Sequence, residues 1–534
     1  IQYQYLFLNG ALMLLLALGS AACAVAVGFL ASRIAAGLGK NLRHDVFRKV
    51  ESFSLVEFGR FSTNTLLTRT TNDIQQIQMV LVMILRMVIY APIIGIGALF
   101  KVLTSDVSMT WIIAHVIIII LGVMGTAFLV VLPKFRVTQK LMDHLNAVVR
   151  EFLDGMPVIR AFNNQKIEEK KFDEANRNIM KNLLFVGRSM GLLMPLIMLV
   201  MNCTSILIVW VGAHRIGEGV MQVGDMMAFM QYSMQIIMAF MMITMLSIMI
   251  PRASVAAGRI DEVLKSETAI KDPQQPQAFD ETKKGVVEFK DVSFRYPGAE
   301  EPVLHHLNFV AQAGKTTAFI GSTGSGKSTL INLVPRFFDA SEGEVLVDGV
   351  NVKEASQHEL RERIGYVPQK GYLFTGTIAS NLRYAKKGAD EQEMRDASET
   401  AQALEFIENK PEGFETAISQ GGTNVSGGQR QRLSIARALM KNPEIFIFDD
   451  TFSALDFKTD ARLRKALTKM CKERGSTVLM VAQRISSILH ADQIVVLDQG
   501  SVVGIGTHKE LMESCDVYRE IAYSQLSKEE LEDE

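Results

Sequence analysis

The sequence predicts a polytopic α-helical membrane domain, its helices extended into the cytosol, fused to an α/β phosphate-loop nucleotide-binding domain. Three observations predict it. Residues 1–32, 107–133, 189–213 and 226–251 carry no charged side chain, and 74–100 carry only Arg86. Each run is long enough to cross a bilayer as a helix, the form in which a spanning backbone satisfies its own polar groups. After about residue 280 no such run exists, and 23 of the 28 Met precede residue 260. Residues 321–328 then read Gly-Ser-Thr-Gly-Ser-Gly-Lys-Ser, which is G-x-x-x-x-G-K-S, between a β-like run and a helix-like run.

The chain of 534 residues divides accordingly. Residues 1–264 form the membrane domain, 265–285 a linker with Pro273 and Pro276, 286–525 the nucleotide domain, and 526–534 an acidic tail. A net charge of −1 argues against a nucleic-acid partner. Cys23, Cys203, Cys471 and Cys515 are scattered, with no metal or disulfide spacing.

The first span covers roughly 5–35 and ends in Arg33, Lys40, Arg43, Arg48 and Lys49. Residues 134–188 hold eleven Lys/Arg, whereas 101–106 and 214–225 hold one each. The basic loops are cytosolic by the positive-inside rule, so five spans leave the nucleotide domain in the cytosol of a cell-membrane protein. With an odd span count and Ile1 outside, a preceding transmembrane helix is expected. Residues 36–78 and 134–188 are long, polar and helical in character. They read as cytosolic continuations of the spans, turning near 58–64 and 162–168 in short helices that would touch the nucleotide domain.

The last span carries Met227, Met230, Met234, Met238, Met241, Met245 and Met249 at steps of three or four, one helix face. Methionine adapts to varied apolar ligands. Met230, Met234, Met238 and Met241, with Asn202 of the fourth span, are candidates for a cavity that takes a hydrophobic small molecule; plain helix packing or membrane lipid contact weighs evenly against it. Helix–helix hydrogen bonding also accounts for Asn202, Thr204 and Ser205.

In the phosphate loop, Gly321, Ser322, Thr323, Gly324, Ser325 and Gly326 let backbone N–H groups face an anion at a helix start. Lys327 reaches the β/γ-phosphates of ATP, Ser328 ligates Mg²⁺, and Thr329, which opens the following helical run, is expected among the ATP-binding residues. Tyr296, at the end of an upstream strand, can stack on adenine. Gln369 can sense Mg²⁺ and the γ-phosphate. Ser426, Gly427, Gly428 and Gln429 precede an Arg-rich helix and offer a second anion site. Residues 445–450 form a buried strand that ends in Asp449, a Mg²⁺ ligand, and Asp450. Ser453, Leu455 and Asp456 follow at once.

These motifs, in this order, resemble the ATP-binding cassette family, and the long helices resemble its exporter-type half-transporters. The resemblance covers nearly the whole chain. It implies a helical subdomain in the nucleotide domain and two cassettes meeting head to tail. Each ATP then lies between one phosphate loop and the other chain's Ser426–Gln429 segment, with Asp456 at the dimer contact. Two positions depart from the family pattern. Asp450 stands where Glu polarises the attacking water, and Gln483 stands where a switch His is usual. The Asp450 carboxylate is one methylene short, about 1 Å, and such a misplacement can cost about 10²-fold in rate. Gln483 cannot carry an imidazolium charge. The chain is therefore expected to be the degenerate-site subunit of a heterodimeric multidrug exporter, whose homologous partner supplies the complete Glu and His. An ATP-gated channel or regulator is the alternative, disfavoured because Arg86 is the one charge inside the apolar runs. Lipid and peptide exporters share the same outline.

Overall fold

The computed structural model describes residues 2–105, 109–453 and 455–526. Ala454 and residues 527–534 of the acidic tail lie outside the described residues. The chain divides into two compact units, 1–51 with 63–266, and 52–62 with 267–534.

The first unit is helical. Its elements are α1 (Gln2–Glu51), then, beyond α2 (Leu55–Arg60) of the second unit, α3 (Thr63–Thr68), α4 (Ile74–Met87), α5 (Tyr90–Ser105), α6 (Thr110–Asp154), α7 (Met156–Ala161), α8 (Gln165–Gly217) and α9 (Val223–Lys265). Among the described residues five segments are long and apolar enough to cross a membrane. α1, α6, α8 and α9 run without a break from apolar sequence into charged sequence, so the spans continue as the expected extensions. Pro133, Pro195 and Pro251 sit inside α6, α8 and α9. The turns fall at 52–62 and 155–164, each holding one short helix, α2 and α7.

Ala98, Val102, Ile113, Ile120, Ile208, Phe229 and Ile236 form a buried core shared by α5, α6, α8 and α9. The α1 span is different, with Leu6, Phe7, Leu12 and Leu16 exposed, as suits a helix whose apolar surface meets lipid. Below the spans, a π-type turn at Arg69–Asp73 anchors α9. Arg69 pairs with Glu262 at 2.9 Å and donates to the Arg259 carbonyl at 2.8 Å, and Arg259 faces Asp73 at 3.8 Å.

The second unit is α/β. Its strands are β1 (Val287–Phe294), β2 (Leu304–Ala311), β3 (Thr316–Gly321), β4 (Glu342–Val347), β5 (Val350–Asn351), β6 (Ile364–Val367), β7 (Gly376–Thr377), β8 (Ala417–Ile418), β9 (Ile445–Asp449), β10 (Thr477–Val481), β11 (Gln493–Asp498) and β12 (Ser501–Gly506). An antiparallel sheet has order β2-β1-β4-β5. The larger sheet, β12-β11-β3-β10-β9-β6, is parallel except at β12. Its central strands are apolar on both faces, as a covered parallel sheet requires. Phe446, Phe448, Val478 and Met480 point into one core, with Leu433, Ile435 and Leu463 of the helices. Ile445, Ile447, Leu479 and Val481 point into the other, with Phe289, Phe309 and Leu330. The strand order places the carboxyl ends of β3 and β9 on either side of β10, where the site lies.

α2 belongs to this unit. Ser54 and Glu57 close a capping box, Glu57 accepts from the Ala269 N–H at 2.9 Å, and Phe53 stacks on Phe61.

Candidate nucleotide site

Strand β3 delivers the chain into the loop Ser322–Gly326, and α10 (Lys327–Leu333) begins at once. Gly326 has φ 94°, and a Cβ there would lie 2.5 Å from a Leu304 methyl. Only glycine meets both conditions without strain. The Lys327 ammonium curls back into the loop and donates to the carbonyls of Gly321 at 2.8 Å and Ser322 at 2.7 Å, and to Ser325 Oγ at 3.3 Å. Burial pushes its pKa down, against the pull of Asp450 and Asp449.

Strand β9 sets the two carboxylates. Ser328 Oγ donates to Asp449 Oδ1 at 2.7 Å, so a hydroxyl and a carboxylate from neighbouring elements converge on one point. That oxygen-rich pair, with Gln369 close by, suits a hard cation such as Mg²⁺. When bound, the ion would supply charge neutralisation to the ATP phosphates, with Ser328 and Asp449 as its protein ligands.

Asp450 adopts φ 44°, a strained conformation for a residue with a Cβ. The backbone is held there by a bond from its own N–H to Val481 O and by Ser453 Oγ on its carbonyl. Both glutamines grip one carboxylate oxygen. Gln369 Nε2 donates to Asp450 Oδ2 at 3.1 Å, and Gln483 Nε2 donates to the same atom at 2.7 Å. Burial raises the pKa of both Asp449 and Asp450, opposed at Asp449 by the Ser328 hydrogen bond and at Asp450 by those of Gln369 and Ser453. Tyr296 is half-buried, edge-on to Phe294 and Phe338, with its hydroxyl 3.0 Å from Thr329 Oγ1.

The second motif forms the start of the helix Gly427–Met440. Ser426 is its N-cap; Ser426 Oγ accepts from Gln429 N and Gln429 Oε1 accepts from Ser426 N, both at 3.2 Å. Ser426 and Gly427 are exposed, so the positive end of the helix dipole faces outward. Asp456 likewise caps the helix Phe457–Arg474 through Thr459 N, which holds its carboxyl below the usual range.

Residues 6–240 match the ABC transporter transmembrane region family, and residues 304–453 the ABC transporter family. An uncharacterised ABC transporter ATP-binding protein of Mycobacterium tuberculosis is 42% identical over 507 residues, covering 94% of this chain and 86% of the relative. The chain belongs to the ABC transporters. The ATP-dependent lipid A-core flippase of Haemophilus influenzae is 32% identical over 497 residues, covering 91% of this chain and 82% of that one. The structure of a bacterial Atm1-family ABC exporter with ATP bound superposes with a TM-score of 0.76, at 26% identity, covering 93% of this chain and 86% of that chain. This ABC transporter is thus an exporter-type half-transporter, with membrane region and cassette in one chain and the cassette as its cytosolic part.

Among the predicted residues of this ABC transporter, the structure gathers Lys327, Ser328, Asp449, Asp450, Gln369 and Gln483 into one cluster. Among the described residues no hydrogen bond or ion pair joins that cluster to Ser426–Gln429. In the membrane unit Met230 packs half-buried on the helical core, Met241 is half-buried, and Met234, Met238 and Asn202 are exposed. Thr204 and Ser205 bond back to carbonyls one turn earlier in α8.

Gln431 was not singled out from sequence. It is buried one turn beyond Ser426, where its side chain accepts from Gly371 N at 3.0 Å and donates to Pro368 O at 3.2 Å. It ties the Ser426 helix to the loop bearing Gln369. No local sequence signal marks it, since it stands between Arg430 and Arg432 and a buried amide is recognised only through its partners.

Proposed function

We propose that this chain is one half of a heterodimeric exporter that moves hydrophobic compounds, multiple drugs among them, out of the cell at the expense of ATP. Its own phosphate loop holds ATP and Mg²⁺ and hydrolyses slowly. Its Ser426–Gln429 segment completes the faster site, whose phosphate loop, glutamate and histidine come from the partner half.

One observation carries the reading: Oδ2 of the Asp450 carboxylate, the group that would serve as the base, is engaged by two amide donors. A carboxylate already one methylene short is thereby turned toward Gln369 and Gln483. A base must lie within hydrogen-bond reach of the proton it takes. Neither amide can hold a positive charge against the developing phosphate charge. ATP at both interfaces would clamp the cassettes together, and hydrolysis at the partner-derived site would release them.

The test is ATP hydrolysis by the purified chain alone and with the half-transporter that co-purifies with it. The chain alone is expected to turn over slowly and the pair quickly. Asp450→Glu combined with Gln483→His should raise the rate of the chain alone by about 10²-fold. Fast hydrolysis by the unmodified homodimer would exclude the reading.

A further inference from the structure

The membrane unit contains a cavity of about 690 Å³ between α1 and the face of α4. Arg43 of α1 lines one wall, and Gln75, Gln78, Met79, Met83 and Arg86 line the other. The α4 positions recur at steps of three and four, so they share one helix face. Ile74 and Val80 on the other side of α4 are buried. The polar stripe therefore faces the cavity, and its upper end, Arg86, is the one charge within 74–100.

The two arginines lean toward each other along the cavity. α1 descends to the cytosol and α4 ascends from it, and helical side chains tilt toward their own N-termini. Arg43, near the foot of α1, therefore leans up, and Arg86 leans down toward Val82. At 1.5 Å per residue Arg86 stands about 16 Å along the helix from Gln75, which gives the cavity length as well as charge. Gly39 makes room on α1. A Cβ there would lie 2.6 Å from Gln78 Oε1 and 3.5 Å from an Arg43 terminal nitrogen.

No carboxylate lines the cavity. Among the described residues no ion pair or side-chain hydrogen bond engages Arg43 or Arg86. An arginine kept inside an apolar span without a counter-ion marks a site for something that brings one. The guanidinium fork matches carboxylate or phosphate through two parallel hydrogen bonds. Met79, Val82 and Met83 supply an adaptable apolar wall beside it.

We infer that this cavity binds an amphiphilic anion, its carboxylate or phosphate head held by Arg43 and Arg86 and its acyl chain lying along Met79, Val82 and Met83. The inference rests on the exporter reading above and names the class of its cargo.

The experiment places the full chain, with the half-transporter that co-purifies with it, in nanodiscs of neutral phospholipid. Radiolabelled oleate, oleoyl lysophosphatidate and monooleoylglycerol are titrated in turn, with inorganic phosphate as competitor. Both anions are expected to bind at least tenfold more tightly than monooleoylglycerol, and millimolar phosphate to leave them bound. Arg43→Gln and Arg86→Gln should each weaken anion binding about tenfold, the scale of a lost charge-assisted hydrogen bond. Arg86→Lys should lose less, which separates lost charge from misfolding, and Gly39→Ala should weaken binding by crowding while keeping both charges.

Equal affinity for monooleoylglycerol, displacement by phosphate alone, or wild-type anion binding by the double Gln variant would overturn the site. Anion binding without ATP-driven movement of any compound in proteoliposomes would sink the exporter reading and leave the site standing. Drug movement without anion binding would do the reverse.

Discussion

The two ends of the cassette differ in kind. At the phosphate loop, Lys327, Ser328 and Asp449 are disposed to hold ATP and Mg²⁺, yet Asp450 is strained and tied to Gln369 and Gln483. At Ser426–Gln429 the helix start is capped by its own serine and faces outward, with nothing compromised. The difference teaches that nucleotide binding and water activation are separable. Binding of the kind proposed would use backbone N–H groups, one ammonium and one hydroxyl, none of which depends on the length of the residue at 450. Activation depends on placing one oxygen to within a fraction of an ångström.

The comparison breaks most decisively at the outward-facing end. Ser426→Arg removes the cap and places a cation at the positive end of the helix dipole. Steady-state ATP hydrolysis by the assembled pair should fall by about 10²-fold or more, the scale of losing a phosphate-facing donor. Lys327→Ala sharpens the same contrast. ATP retention at this chain's own loop should disappear, while hydrolysis by the pair falls by less than about tenfold if, as proposed, the lost ammonium serves the slower site. Equal damage from the two substitutions, read as turnover of the purified pair, would mean that the ends are equivalent.

The smallest effect lies away from both ends. Asp348 is fully buried, bonded to Gly285 N at 2.7 Å and to Arg363 at 3.0 Å, and burial raises its pKa to about 6. A carboxyl that binds its proton more tightly folded than unfolded stabilises the fold below its unfolded pKa of 3.8. That contribution is lost as pH rises through about 6. Asp348→Asn keeps an acceptor for Gly285 and cannot titrate. The wild-type cassette should lose a few degrees of Tm relative to this variant between about pH 4 and pH 7, measured by thermal unfolding. Parallel pH profiles would remove Asp348 from the account.

Much of the site was legible because its chemistry is local. The phosphate loop, the buried strand ending in Asp449 and Asp450, and the capped start at Ser426 each lie within a few consecutive residues. Loop geometry and helix capping depend on neighbours in the chain. Gln431 and the cavity at Arg86 were not legible. A buried amide has meaning only once its partners, Gly371 and Pro368, are known to be near. Arg86 and Arg43 are 43 positions apart, and only the packing of α1 on α4 makes them one site. The methionine periodicity of α9 was real, but period alone does not say which face is lined. The structure spreads Met230, Met234, Met238 and Met241 between core and surface.

By itself the sequence determined which segments can enter a bilayer, that the loop ending in Lys327 and Ser328 has the form of a phosphate-binding loop, and that the residues at 450 and 483 depart from the family pattern. Those properties follow from composition, from spacing along the chain and from side-chain chemistry. Tertiary structure decided the rest: that Gln369 and Gln483 meet on one oxygen of Asp450, that Gln431 joins two motifs sixty residues apart, that residues 52–62 fold with the cassette, and that Arg43 and Arg86 face a common cavity. Each depends on atoms distant in sequence being brought within hydrogen-bond range, and sheet order and helix packing alone set those distances.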